Sequence, residues 1–192
     1  MSFLELVKQT RSTRRFKKDY NIPYNTLIDL IKMANMCPSA LNRQPMKYII
    51  CKNPKINNII TDNVIWAPYI KDFKPSVGQR PNTYLIMVLD KKIVSRAEID
   101  AGIQAQTIML GASSYGYSGC IMEKFNKPQL TSLFALSDDY EILLLLALGM
   151  SDEKIIVDEM KDDDIKFYHD QDGNHHVPKR NYQDLILKEY ID

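Results

Sequence analysis

The segment Glu141 to Leu148 reads Glu-Ile-Leu-Leu-Leu-Leu-Ala-Leu, apolar at every position after the first. A strand with one solvated face alternates apolar and polar residues. An unbroken run of this length marks a central strand covered on both faces. A chain containing it must build layers on either side of a sheet. The same run is far shorter than the roughly 20 apolar residues that cross a bilayer as a helix, so no membrane partner is implied. Thr83 to Leu89 is a second apolar, β-branched strand, and Lys47 to Cys51 a third, closed by Asn53-Pro54 as a turn. Gly116 and Gly119 lead into a short strand, Cys120-Ile121-Met122. Ile165 to His169 and His175 to Val177 flank Asp172-Gly173, a strong hairpin signal.

Helices fall between these strands. Ser2 and Glu5 form a capping-box pair ahead of Phe3, Leu6 and Val7. Pro23 stands at a helix start, with Leu27, Leu30, Ile31 and Ala34 as its apolar stripe, and Cys37-Pro38 ends it. Ser95 and Glu98 read as a second capping box, opening a long helix to Ser113. Its small residues Ala101, Gly102, Ala105, Gly111 and Ala112 admit close backbone approach, either as a central buried helix or at a subunit interface. Pro128 starts a helix through Leu130, Leu133 and Phe134, and Asn181 caps a final one with Tyr182, Leu185, Ile186 and Tyr190. Trp66 to Pro81 is irregular and aromatic, of a length that often marks a functional loop. No linker or repeat divides the chain. The expectation is one α+β domain over residues 1–192, a mostly antiparallel sheet wrapped by helices.

A net charge of +1 gives no support to a nucleic-acid partner. Cys37, Cys51 and Cys120 are odd in number and form no CxxC pair, against a disulfide framework or a zinc site. The N-terminus has no signal-peptide pattern, and a cytoplasmic location is expected. His175-His176 is no metal pair by itself, because adjacent strand residues point to opposite faces. Asp162-Asp163-Asp164 reads as a solvated turn. No metal site is expected.

Chemistry concentrates in Arg11-Ser12-Thr13-Arg14-Arg15-Phe16. Three guanidiniums and two hydroxyls lie within five positions, and arginine suits forked, bidentate contact with phosphate. Basic runs are more often solvated faces. Two later stretches, Pro38-Ser39-Ala40-Leu41-Asn42-Arg43-Gln44-Pro45 and Val177-Pro178-Lys179-Arg180, shift the balance toward a phosphate-bearing cofactor held by pieces from both ends of the chain. There is no P-loop and no GxGxxG after a strand.

RSTRRF, PSALNRQP, the DAGIQAQ start of the long helix (Asp100 to Gln106), GYSGCIMEKF (Gly116 to Phe125) and VPKR follow one another as in the nitroreductase family, which the chain resembles over nearly its whole length. The resemblance implies an FMN-dependent oxidoreductase fold, a homodimer, and NAD(P)H-driven reduction of nitroaromatics, quinones or a related small-molecule electron acceptor. It implies that Arg11, Ser12 and Arg14 line the flavin, Arg11 near the phosphate and Arg14 at the pyrimidine edge. Pro38, Ser39, Ala40 and Asn42 would come from the second subunit. Met122, Glu123 and Lys124 would pass behind the ring, and Lys179 and Arg180 would complete the phosphate clamp. No catalytic residue is implied, since the cofactor carries the chemistry. Dehalogenation, oxidation or flavin cleavage on the same scaffold, and a non-catalytic flavin binder, are the alternatives. Three positions depart from the pattern. Thr10 stands where many members have a second arginine, Lys124 where some branches have glycine, and Met46 where tryptophan is common.

Overall fold

A computed structural model describes residues 2–191. The chain divides into two compact units: a larger one, residues 1–66 and 75–152, and a smaller one, residues 67–74 and 153–192.

The larger unit is built on a four-stranded, fully antiparallel sheet of β1 (Met46–Cys51), β2 (Thr83–Asp90), β3 (Ser118–Met122) and β4 (Tyr140–Gly149), in the order β1-β2-β4-β3. The apolar run therefore lies in an interior strand, with β2 pairing on one side and β3 on the other. All eight residues of β2 are buried. Its Leu85, Met87 and Leu89 join β4's Leu146 and Leu148 in a core closed by α2 (Tyr24–Asn35) and α4 (Glu98–Ser114). Tyr84, also on β2, is fully buried, and its hydroxyl meets Thr61 of α3 (Pro54–Asp62) at 2.8 Å. Burial pushes that phenol's pKa up.

The capping box of α1 (Phe3–Gln9) is present as expected, with Ser2 and Glu5 bonding each other's backbone. Pro23 is the N-cap of α2, and α5 (Lys127–Leu133) starts after Asn126. Other local expectations are corrected. Asn53-Pro54 opens α3 rather than forming a turn: the Asn53 side chain accepts from the Lys55 and Ile56 amides while proline fills the first turn, which serves a helix start equally well. Ser95 does not cap α4. The helix begins at Glu98 behind an Ala97 N-cap, and Glu98 turns instead to Arg96 at 3.4 Å. The small residues of α4 are mainly core. A Cβ on Gly111 would lie 2.7 Å from the Met33 sulfur, so α2 packs there within one chain.

The smaller unit holds a three-stranded sheet ordered β5-β7-β6, from β5 (Ile155–Glu159), β6 (Tyr168–His169) and β7 (His175–Lys179). The hairpin turns at Gly173, at φ +79°, and β5 joins β7 in parallel, a strand the sequence reading missed. Strand pairing before the turn is limited to Tyr168 and His169. The expected final helix is only a 3-10 turn, Tyr182–Leu185. Asn181 does cap it, through the Gln183 amide. Beyond it, Leu187 and Tyr190 stay over 90% exposed, and a short helix without a buried face is marginal in water.

Candidate functional site

The arginine segment runs along the free edge of β3. Ser12 bridges Gly119 in parallel, and the Thr13 amide donates to the Gly119 carbonyl at 2.8 Å. Gly119 itself lies close against β4 and α4: a Cβ there would come within 2.5 Å of the Ala147 carbonyl oxygen and 3.1 Å of the Met109 sulfur. Phe16 is fully buried, and a Cβ on Gly149 would meet its ring at 2.8 Å. The segment is thus part of the sheet architecture, not a solvated charge run.

Its guanidiniums are fixed differently. Arg11 donates to the Val7 and Thr10 carbonyls at 2.7 and 2.6 Å, where a cation suits the C-terminal end of α1. Thr10 caps that helix, its hydroxyl donating to the Leu6 carbonyl at 2.7 Å, so the residue standing in place of a second arginine has a structural task. Arg14 reaches the Trp66 carbonyl at 2.7 Å and that of Ser12 at 3.4 Å. Trp66 is itself pinned by its indole N–H to the Thr61 carbonyl.

Past β3, Met122 is buried while Glu123 and Lys124 are exposed. The Lys124 carbonyl accepts from the Ile65 amide at 3.0 Å, and Phe125 bridges Val64. Lys124 is absent from the residues with positive φ, so a side chain is accommodated where some relatives have glycine. Arg14 thus ties Ser12 to the buried Trp66, and the neighbouring residues Val64 and Ile65 are bonded to the exit of β3, all within the larger unit. Met46 opens β1 in the core.

The PSALNRQP loop is anchored elsewhere. Asp100, buried in the first turn of α4, accepts from the Ser39 hydroxyl and from the Ala40 amide, the latter at 3.3 Å. The Ser39 hydroxyl oxygen accepts in turn from the Gln44 amide at 2.9 Å. Leu41, Asn42 and Gln44 all have φ near +50°. Left-handed backbone at three non-glycine residues in four positions is strain of the kind that gathers at functional loops. Pro38, Ala40 and Asn42 are exposed and Ser39 half-buried. Asp100 had no assigned role from sequence. Its signal is an acidic residue inside DAGIQAQ, a type common in the first turn of any helix. The cleft between this loop and residues 94–100 holds about 180 Å³, below the roughly 300 Å³ at the low end of small-molecule pockets.

Lys179 ends β7, and Arg180 follows it in the smaller unit, paired with Asp163 at 2.6 Å with both groups largely exposed. Asp162 and Asp163 form a left-handed turn. On the same sheet His176 sits between Asp158 (2.7 Å) and Asp170 (3.1 Å), which raise its pKa, Asp158 first.

The nitroreductase family model matches residues 7–150, which include the arginine segment, the loop and β3 with its exit. An iodotyrosine dehalogenase 1 homolog of Caenorhabditis elegans is 23% identical over 83% of this chain, and the chain spans 58% of that protein's length. A Streptococcus pyogenes protein named for NAD(P)H nitroreductase activity is 23% identical over 80% of this chain and 92% of its own. Among solved structures, a nitroreductase of Exiguobacterium sibiricum in complex with FMN superposes with a TM-score of 0.68, at 17% identity over 80% of this chain and 90% of that one. None of the described helices is long and apolar enough to cross a membrane. With three quarters of its length inside the family match and the same fold in solved members, the chain belongs to the nitroreductase family.

Proposed function

We propose that the protein is an FMN-dependent oxidoreductase that draws electrons from NAD(P)H and passes them to a small-molecule acceptor, a nitroaromatic, a quinone or a related compound. The observation that carries this reading is Arg14, a cation held on the Trp66 carbonyl beside the exit of β3, within the family match. The donor set suits FMN: fixed guanidiniums and an exposed serine for phosphate and ring edge, and exposed backbone at 123–124 for the ring. When bound, FMN supplies the hydride chemistry. Arg14 would hold the pyrimidine side of the cofactor, where its cation would favour the negative charge of the reduced form. Arg11 and Ser12 would hold the phosphate side, and Met122, Glu123 and Lys124 would back the ring. Lys179 and Arg180 would supply further cations for the phosphate.

Pro38, Ser39, Ala40 and Asn42 serve the flavin of the other subunit of a homodimer. Supporting this, their loop bounds too small a cleft to enclose a flavin alone, and Leu41 at its tip is 83% exposed. On α4, Ile99, Gly102, Ile103 and Gln106 form an outward stripe that a two-fold mate can cover. The three thiols are free, which suits a cytoplasmic location. Reductive dehalogenation is the second reading, favoured by the name of the worm relative.

Anaerobic addition of NADH or NADPH to the FMN-loaded protein is expected to bleach the flavin. Re-oxidation by a nitroaromatic or a quinone supports the first reading, and by an iodotyrosine with iodide release the second. A flavin that neither donor bleaches overturns both. A stable monomer in sedimentation that keeps full FMN occupancy overturns the shared site.

A further inference from the structure

The smaller unit has an unusual centre. Of its described residues only Ala67 and His175 are buried, His175 to 1% exposure. A small sheet normally closes over aliphatic side chains, and units with too little apolar core recruit a disulfide or a metal. No disulfide is available here, since all three cysteines lie in the larger unit.

Strand alternation sorts the side chains around that histidine. His169 and His175 are register partners across β6 and β7, and Ile155 is the partner of His175 across β5 and β7. Partners share a face, as do residues two apart. Glu153, two before Ile155, therefore falls on the face of His169 and His175. The His175 amide donates to the Lys154 carbonyl at 2.8 Å, which holds that end of β5 against β7. Phe167 belongs to the same face and packs on the His175 ring at 5.3 Å, while Phe73 lies against His169 at 5.5 Å. The opposite face carries His176, stacked on Tyr168 at 4.8 Å and bonded to Asp158 and Asp170. Adjacent histidines do point apart, and the pairing runs across strands instead.

Glu153, His169 and His175 each bring one donor atom to within 4.8 Å of the others. We propose that these three side chains form a binding site for a divalent transition metal of the zinc class, which pins β5, β6 and β7 together. Two imidazoles and one carboxylate are a donor set that zinc takes in tetrahedral geometry, with water or another ligand in the fourth position. Bonds of about 2.0–2.2 Å place tetrahedral ligands roughly 3.3–3.6 Å apart, a separation that side-chain rotation can reach from donors within 4.8 Å of one another. The rings of Phe167 and Phe73 shield the site on the same face. The site is independent of the flavin reading.

The test uses the full, tag-free chain, stripped with a chelator, dialysed, and titrated with Zn²⁺ and separately with Co²⁺. One ion per chain is expected, with visible ligand-field bands for Co²⁺ and a higher melting temperature with Zn²⁺. Glu153→Gln and His169→Ala, neither fully buried, should each weaken binding by more than about tenfold, since even outer-shell changes cost 10–100-fold. His176→Asn, on the opposite face, should bind as wild type. Binding lost in His176→Asn but kept in Glu153→Gln and His169→Ala places the ion on the other face and overturns the proposal. So does the absence of stoichiometric binding by the wild-type chain.

Discussion

Residues 11–16 and residues 38–45 are both short, irregular and polar, yet they are held in opposite ways. The first segment is tied by main chain: Thr13 to Gly119, Phe16 to Gln79 and Lys17 to Met150, all at 2.8–2.9 Å. The second is a strained loop tied by main chain only at its end, where the Pro45 carbonyl accepts from the Asp90 amide at 2.9 Å, and linked to α4 by one carboxylate, that of Asp100. Main-chain anchoring leaves side chains replaceable without loss of the frame. Side-chain anchoring concentrates the loop's hold on α4 in a single residue. The arginines are therefore expected to be tunable individually, and the loop to fail as a unit.

The severest way to disturb the first anchor is to displace β3, the strand that carries it. Gly119→Ala forces a methyl against the Ala147 carbonyl and the side chain of Leu148, at 2.5 and 2.7 Å. A backbone oxygen cannot rotate away. The expected cost is about 3 kcal/mol, the upper end for overpacking, read from the denaturant midpoint. A change below about 1 kcal/mol would show that the edge of β3 relaxes freely.

Asp100→Ala addresses the second anchor. It removes the acceptor of two bonds, each worth about 1.5 kcal/mol when one group is charged. FMN affinity is expected to fall by on the order of a hundredfold, with a smaller loss of global stability because the loop is mostly exposed. Titration of FMN fluorescence against the variant measures it. Equal FMN binding in variant and wild type would leave the loop without a part in the site.

The contrast also explains what the sequence could and could not reveal. The central strand was legible because Ile142 to Leu148 leaves no polar alternative, and α2 because its stripe repeats at helical spacing. Local signals were ambiguous where one residue pair serves two structures: Asn53-Pro54 suits a turn or a helix start, and only tertiary packing of Ile60 and Thr61 in α3 decides. The last helix failed for the converse reason, a good cap with no core to cover its apolar side chains. RSTRRF was legible as a cluster of types. Its role as an extension of the sheet was not, since nothing local to it specifies Gly119. Asp100 and the set of Glu153, His169 and His175 depend on contacts between residues 6 to 61 positions apart, beyond any periodic pattern.

Within the first segment, Arg14→Gln sharpens the idea of a tunable cation. The neutral side chain can still reach toward the Trp66 carbonyl, so oxidised FMN should bind nearly as before. The reduced form loses about 1.5–3 kcal/mol of charge-assisted stabilisation, equivalent to a midpoint potential lower by about 30–65 mV for a two-electron couple. Potentiometry that finds the potential unchanged or raised contradicts the role given to Arg14.

The smallest effects on stability are expected at Arg180, an exposed basic residue of the smaller unit. Its ion pair with Asp163 is exposed, with side chains 47% and 82% accessible, and such pairs contribute about 0–1 kcal/mol. Arg180→Ala should therefore leave the melting temperature nearly unchanged. If Arg180 meets the phosphate, the same variant weakens FMN binding by about 1.5 kcal/mol, roughly tenfold. Asp163→Asn separates the two roles: it removes the partner but keeps the guanidinium, so FMN binding should hold or tighten slightly. Parallel losses of FMN in both variants would mean that the pair orders the turn at residues 161–164 and that Arg180 has no contact with phosphate. Loss in Arg180→Ala alone is the outcome that joins the C-terminal basic residues to the arginine segment in function.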